Sequence, residues 1–272
     1  MALNFPPGPS DVHVRALVTP DEMAACVSLY ESTFELGPRD GSLNTRLLVG
    51  IARNSGIIVG ALSDDGLIGF TFSFLARDDA GTLYQYSQVA CVQRSWQGRG
   101  VGRRLKLAQR EIAIAAGIAE IRWAFDPFQI KNAHFNLDVL GARVHELVRN
   151  LYGEHGHGLD ARDSTNRLIA VWTLDSPRVR TLSSGAPREA VTSTWADPTF
   201  TDALAGVGGD NASLFVPLPF ARSLDEEDVR ASEAALCTME RLFSEGFDAV
   251  ACSRVSDDVA HYIFSRRQSV EA

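Results

Sequence analysis

Residues 97–102, Gln97-Gly98-Arg99-Gly100-Val101-Gly102, set three glycines within five positions. The apolar run Val89-Ala90-Cys91-Val92 leads into them, and a long helix-prone segment follows at once. A strand, a glycine-rich turn and a helix start together make an anion site. Glycine lets backbone approach a ligand closely, and the first helical N–H groups point outward with the helix dipole behind them. The spacing suits two phosphates of a cofactor. It is not a P-loop, because no lysine follows the glycines. It is not the G-x-G-x-x-G dinucleotide pattern either. The local cluster Arg94, Arg99, Arg103, Arg104 and Lys106 adds positive charge beside the loop.

The elements that must hold this loop read off from periodicity. Residues 13–19 alternate as a strand. Thr19-Pro20-Asp21-Glu22 reads as a helix start, with Thr as cap, Pro at the first position and Glu at the third. That helix runs to about Phe34, and a second covers 42–54. Strands at 57–62 and 67–75 flank the turn Ser63-Asp64-Asp65-Gly66. A strand at 83–92 delivers the loop, and 100–116 is helical, with Arg104, Arg110 and Glu111 expected to face outward. Strand 118–125 ends at Asp126-Pro127. A short helix at 130–140 stops at Gly141. Strands at 143–152 and 168–174 follow.

Residues 175–201 are rich in Ser, Pro, Thr and Arg and read as a linker or long loop. Beyond them come a strand at 212–217, a helix at 224–245 with a capping box at Ser223–Glu226, and strands at 249–254 and 261–264. The division expected is a catalytic domain over 1–175, then a linker and smaller α/β extension over 176–272. The extension completes the sheet, covers a cleft or forms a homodimer contact; the sequence leaves these open.

The chain has 272 residues, is 45% hydrophobic and carries a net charge of −8. That is ample for one large domain or two modest ones. The negative balance argues against nucleic acid as a bulk partner, since phosphate binding needs a basic face. One basic loop in an acidic chain suits a small polyanion. No apolar run is long enough to span a bilayer, and the start Met-Ala-Leu-Asn-Phe-Pro-Pro-Gly has no signal-peptide pattern. No membrane role and a cytoplasmic location are expected. Cys26, Cys91, Cys237 and Cys252 have no metal spacing and read as buried thiols. His155-Gly-His157 lacks a nearby third ligand, so no metal is expected.

Gln97-x-x-Gly100-x-Gly102 is similar to the Q/R-x-x-G-x-G/A signature of the GNAT acyltransferases. Further blocks narrow the likeness: Trp123–Phe128, Asn132–Ala142, Asn150–Gly153 and Asn166–Trp172 resemble ordered blocks of a predicted GNAT acetyltransferase subfamily. Some members of that subfamily look like succinyl-CoA-dependent amino-acid N-succinyltransferases. The likeness runs from about Leu83 to Leu174 and is weaker beyond. It implies an α/β (α+β) fold with a mixed, mostly antiparallel sheet and flanking helices. It implies acyl-CoA, acetyl or succinyl, as co-substrate. Backbone at Cys91 and Val92 would pair with the pantetheine arm. Gln97, Gly98, Arg99, Gly100, Val101, Gly102 and Arg103 would surround the pyrophosphate. Asn132 matches a pantetheine- or adenosine-side contact, and is otherwise a helix cap.

Direct attack of an amine on a thioester needs the amine neutral and aimed, the oxyanion stabilised and a proton managed. Where some members place a Glu base six residues before Val92, this chain has Tyr86. Where many place a Tyr acid, it has Leu137. Tyr86 and Asp126 are therefore the catalytic candidates, with Tyr84, Gln88 and Tyr152 behind them. Tyr86 is otherwise a strand aromatic, and Asp126 otherwise a turn residue before Pro. Glu31 and Glu35 suit a cationic substrate or a solvated helix face. Arg167 suits a substrate carboxylate or a surface position. The expected function is an acyl-CoA-dependent N-acyltransferase acting on the amine of a small molecule, such as an amino acid or specialised metabolite. The alternative is a non-catalytic CoA-binding or sensory module.

Overall fold

The computed structural model describes residues 11–36, 43–153, 165–184, 214–219, 226–256 and 259–267. They fall into two compact units. One lies within Met1–Ala124, Tyr152–Thr165 and Val171–Ser184, the other within Phe125–Leu151, Asn166–Ala170 and Gly185–Ala272. The mixed, mostly antiparallel α/β arrangement expected from the sequence is present. Among the described residues no helix is long and apolar enough to cross a membrane.

In the first unit, β1 (His13–Ala16), β2 (Ile57–Ser63), β3 (Gly66–Arg77) and β4 (Leu83–Val92) pair antiparallel in that order. β5 (Glu120–Phe125) then joins β4 in parallel. The β2–β3 turn closes where Ser63 faces Gly66, whose φ of 110° is open to glycine and strained for other residues. Helix α1 (Pro20–Phe34) begins with the expected capping box: the Glu22 N–H donates to Thr19 Oγ1 at 3.3 Å and the Thr19 N–H to Glu22 Oε2 at 2.9 Å. Helix α2 (Thr45–Arg53) is capped by Asn44, whose side chain accepts from the Arg46 N–H at 2.9 Å.

Met23, Cys26 and Leu29 of α1 and Leu48 of α2 pack on Ile58, Phe70, Phe72 and Cys91 in a closed core. Strand residues alternate between faces. Thr71 and Ser73 therefore look to the other face, which helix α3 (Val101–Ala115) covers. There the interface is polar. Thr71, Ser73, Gln85, Ser87, Lys106 and Gln109 are all buried. They are joined by bonds from Lys106 Nζ to Ser87 Oγ at 2.7 Å and from Ser73 Oγ to Gln85 Oε1 at 2.7 Å. The outward placement expected for Arg110 fails. It is buried, and its Nε donates to Leu174 O at 2.7 Å, because the chain after the last strand of the unit runs back along α3. Part of that chain, read as linker, is the short helix α5 (Pro177–Ser183), capped by Ser176.

In the second unit, α4 (Ile130–His134) passes into a π-helical turn (Phe135–Val139), where an unbroken α-helix was expected. β6 (Arg143–Val148) pairs antiparallel with β9 (Phe247–Arg254), β9 with β10 (Val259–Arg266) and β10 with β8 (Leu214–Pro219). Strand β7 (Arg167–Thr173) contributes residues to both units. Helix α6 (Glu226–Ser244) buries Ala235, Leu236, Met239, Leu242 and Phe243, the spacing of one apolar stripe. Arg149 ties to it through Glu240 at 2.6 Å and Glu233 at 3.0 Å. The proposed capping box at 223–226 begins outside the described residues.

Candidate active site

The site starts from an interrupted strand pair. β4 and β5 match only at Gln85 with Ile121 and Tyr86 with Arg122, and then part. At the same level β4 carries an extra residue: Phe72 faces Val89 and Ser73 faces Ser87, so Gln88 is the bulge. A bulge bends and twists its strand, and here it turns the Ser87–Val92 edge away from β5. The result is a slot between two strand edges, with backbone groups along one side.

The glycine loop closes the end of that slot. Gly98 and Gly100 have φ of 74° and 81°, and a Cβ on either would meet no atom within 4 Å. Their requirement for glycine is thus conformational, and the space above the loop is open. Gly100 is the N-cap of α3 and has no side chain to cap it. Gln97 is exposed and folds back on the strand end, its Nε2 donating to Val92 O at 2.9 Å and its backbone N–H to Arg94 O at 3.3 Å. It therefore fixes the loop to the strand end, a role its place in the motif did not disclose.

The basic cluster disperses on folding. Arg94 reaches Glu35 at 3.0 Å, Arg103 Nη2 donates to Leu182 O at 2.5 Å and Arg104 Nη2 to Val12 O at 2.7 Å. Arg99 lies 5.2 Å over the Trp96 ring. Lys106 is wholly inside, 4.2 Å from the Trp123 ring centroid, and burial pushes its amine down to about 7. Beside the loop, α1 and the 93–96 segment line an open cleft of about 580 Å³ that includes Ser28, Ser32, Gln93 and Trp96.

Tyr86 stands where β4 and β5 part. It contacts Phe74 at 5.4 Å between ring centroids. Burial pushes its phenol well up, with Tyr152, its hydrogen-bond partner, adding to the effect, while the Ala124 backbone opposes it. Tyr86 is therefore a hydroxyl at any ordinary pH. Next to it the Arg122 guanidinium lies 4.0 Å over the Tyr84 ring and pairs with Glu120 and, at 3.0 Å, with Asp78.

Thus Tyr86, Cys91, Val92 and residues 97–103 come together in the first unit, joined there by Tyr84 and Tyr152. Asp126 and Asn132 lie in the second. Asp126 Oδ1 accepts the Phe128 N–H at 2.8 Å, the turn device that an Asp before Pro suggests. Asn132 is exposed and inside α4, whose cap is Gln129. Arg167 is buried and its Nη1 donates to Asn166 O at 2.9 Å, so it is not a surface residue. Leu137 is fully buried. Cys26, Cys91 and Cys252 are buried as expected, whereas Cys237 is exposed. It lies on α6 off the apolar stripe. His155 and His157 lie outside the described residues.

No family model matches the chain. No curated protein matches it by sequence. Among solved structures, yncA from Salmonella typhimurium with its cofactor acetyl-CoA is similar at 15% identity, over 61% of this chain and 96% of that one, with a TM-score of 0.49. The ribosomal-protein-S18-alanine N-acetyltransferase of Escherichia coli is similar at 12% identity, over 61% and 95%, with a TM-score of 0.48. An aminoglycoside acetyltransferase from an uncultured soil metagenomic sample, in complex with trehalose, is similar at 17% identity, over 47% and 86%, with a TM-score of 0.41.

Proposed function

We propose that this chain is an acyl-CoA-dependent N-acyltransferase of the GNAT type, using acetyl-CoA or succinyl-CoA and the amine of a small molecule. The observation that carries this reading is the parallel β4–β5 pair, which parts after Tyr86 and Arg122 and ends on a positive-φ glycine loop at the start of α3. The slot matches an extended pantetheine arm, which would pair with backbone at Cys91 and Val92 as an added strand does. The pyrophosphate would take N–H groups from the Gly98–Arg103 turn, where dipole and geometry favour negative charge. Gln97 holds the loop in that shape through Val92 O.

Bound acyl-CoA would supply a thioester whose acyl carbon takes the amine nitrogen as the C–S bond breaks, the CoA thiolate leaving and taking up the proton the amine loses. The chain's own work is positioning. The Ser87–Val92 edge orients the donor. Tyr86, kept protonated by burial and by Tyr152, is a hydroxyl donor at the mouth of the slot and not a base. An α-amino acceptor, with a pKa near ~8, arrives partly neutral and requires no dedicated base.

The test is CoA binding followed by turnover. Gly98→Glu and Gly100→Asp should each weaken CoA binding at least about a hundredfold in calorimetry, since each adds negative charge where the phosphates sit. Unaltered affinity refutes the loop assignment. The competing reading, a non-catalytic CoA-binding module, draws on the protonated state of Tyr86. Thiol release from acetyl-CoA and succinyl-CoA against an amine panel separates the two.

A further inference from the structure

Resting on the acyltransferase reading, the geometry points to an aromatic platform beside the slot, and we propose that the amine acceptor is an aryl or arylalkyl amine. Phe70 and Phe72 face the α1–α2 core, and strand alternation puts Phe74 on that same face two residues on. Phe74 lies opposite Tyr86 across β3 and β4, and Tyr84 shares the face of Tyr86. These rings continue the line of the core but are not covered as the core is. Phe74 is 37% exposed, and Tyr152, bonded to Tyr86, is 50% exposed. Three rings thus surround the point where β4 and β5 separate, and Tyr84 extends them under Arg122.

The charges beside this platform decide which amine it fits. Asp78 and Glu120, the carboxylates next to it, both bind Arg122. Asp78 is held below the usual carboxylate range first by the Thr82 N–H and further by Arg122. A carboxylate aimed at the acceptor would keep its ammonium charged and oppose attack. Ring faces instead hold the apolar body of the acceptor by offset or edge contacts, and hold an ammonium less strongly than a carboxylate does. A polycationic acceptor finds its natural counter-charges here already taken. A ring-bearing amine finds surface of matching chemistry within one side chain of the slot.

The test compares 2-phenylethylamine with 2-cyclohexylethylamine, equal in charge and similar in bulk, by calorimetry on the full chain with and without saturating CoA. The aryl amine should bind about three- to tenfold more tightly, the range that aromatic pairing contributes. Phe74→Leu and Tyr152→Leu alter exposed side chains, and circular dichroism verifies that both fold. Each should erase most of the preference, and for Phe74→Leu the loss in turnover should fall on KM rather than kcat. Equal binding of the two amines, binding of neither, or a preference that survives both substitutions overturns the platform. Absence of CoA binding overturns the donor assignment alone, because the amine comparison without CoA still decides the platform.

Discussion

Lys106 shows how a residue's neighbours in space replace its neighbours in sequence. It stands among arginines, yet its amine lies inside against Ser87, Gln109 and Trp123. Burial lowers it from 10.5 to about 7. Between those values the unfolded chain holds a proton that the folded chain lacks, so stability rises with pH from about 7 to 10.5. Below 7 both forms are protonated, and the cost of the buried charge is fully present. Lys106→Met should therefore stabilise the protein at pH 6.5 and flatten this slope, read from urea unfolding at pH 6.5, 8 and 9.5. An unchanged slope would place the proton elsewhere. The thiols make a second residue-scale case. Burial pushes Cys26 and Cys252 up to about 12 and also raises Cys91. A disulfide reagent on native protein should titrate about one thiol, Cys237, and all four only after denaturation.

At the scale of elements, α1 depends on its first turn. Thr19 and Glu22 satisfy each other's backbone donors, and Glu22 Oε2 also accepts the Val18 N–H at 2.8 Å. Burial works to raise the Glu22 carboxyl. The Thr19 and Val18 N–H groups and Arg15 overcome it and bring it to about 2. Its contribution is therefore complete above about pH 4.5 and lost as pH falls through about 2. Thr19→Ala should cost about 1 kcal/mol in chemical denaturation. Glu22→Gln should weaken the box at pH 7 and differ little from the parent near pH 2. Helix α3 is the converse. Its N-cap is Gly100, which has no side chain to accept the first N–H groups.

For the whole chain, the prediction is one of linkage. A ligand held only by the folded state at a hundred times its Kd adds about 2.7 kcal/mol. CoA at that excess should therefore raise the melting temperature by several degrees in scanning calorimetry, and the Gly100→Asp variant should show no rise. The net charge of −8 adds a second whole-chain expectation. Retention on immobilised DNA should be negligible at 150 mM salt, since a net negative chain and phosphate repel each other.

Much was legible before folding because it is local. Thr19-Pro20-Asp21-Glu22 carries its cap in four residues, and the β4 span and the glycine loop follow from alternation and from glycine's access to positive φ. The elements of the first unit lie close to where periodicity put them. Other features are pair properties that no single segment encodes. The parting of β4 from β5, the burial of Lys106 and Arg110 and the gathering of Phe74 and Tyr86 with Tyr152 each join residues far apart in the chain. The sequence by itself determined the glycine loop and the strands that carry it. Only tertiary structure decided which basic residues stay near that loop, that Tyr86 keeps its proton and that rings line the slot, because burial and partner set charge state and exposure.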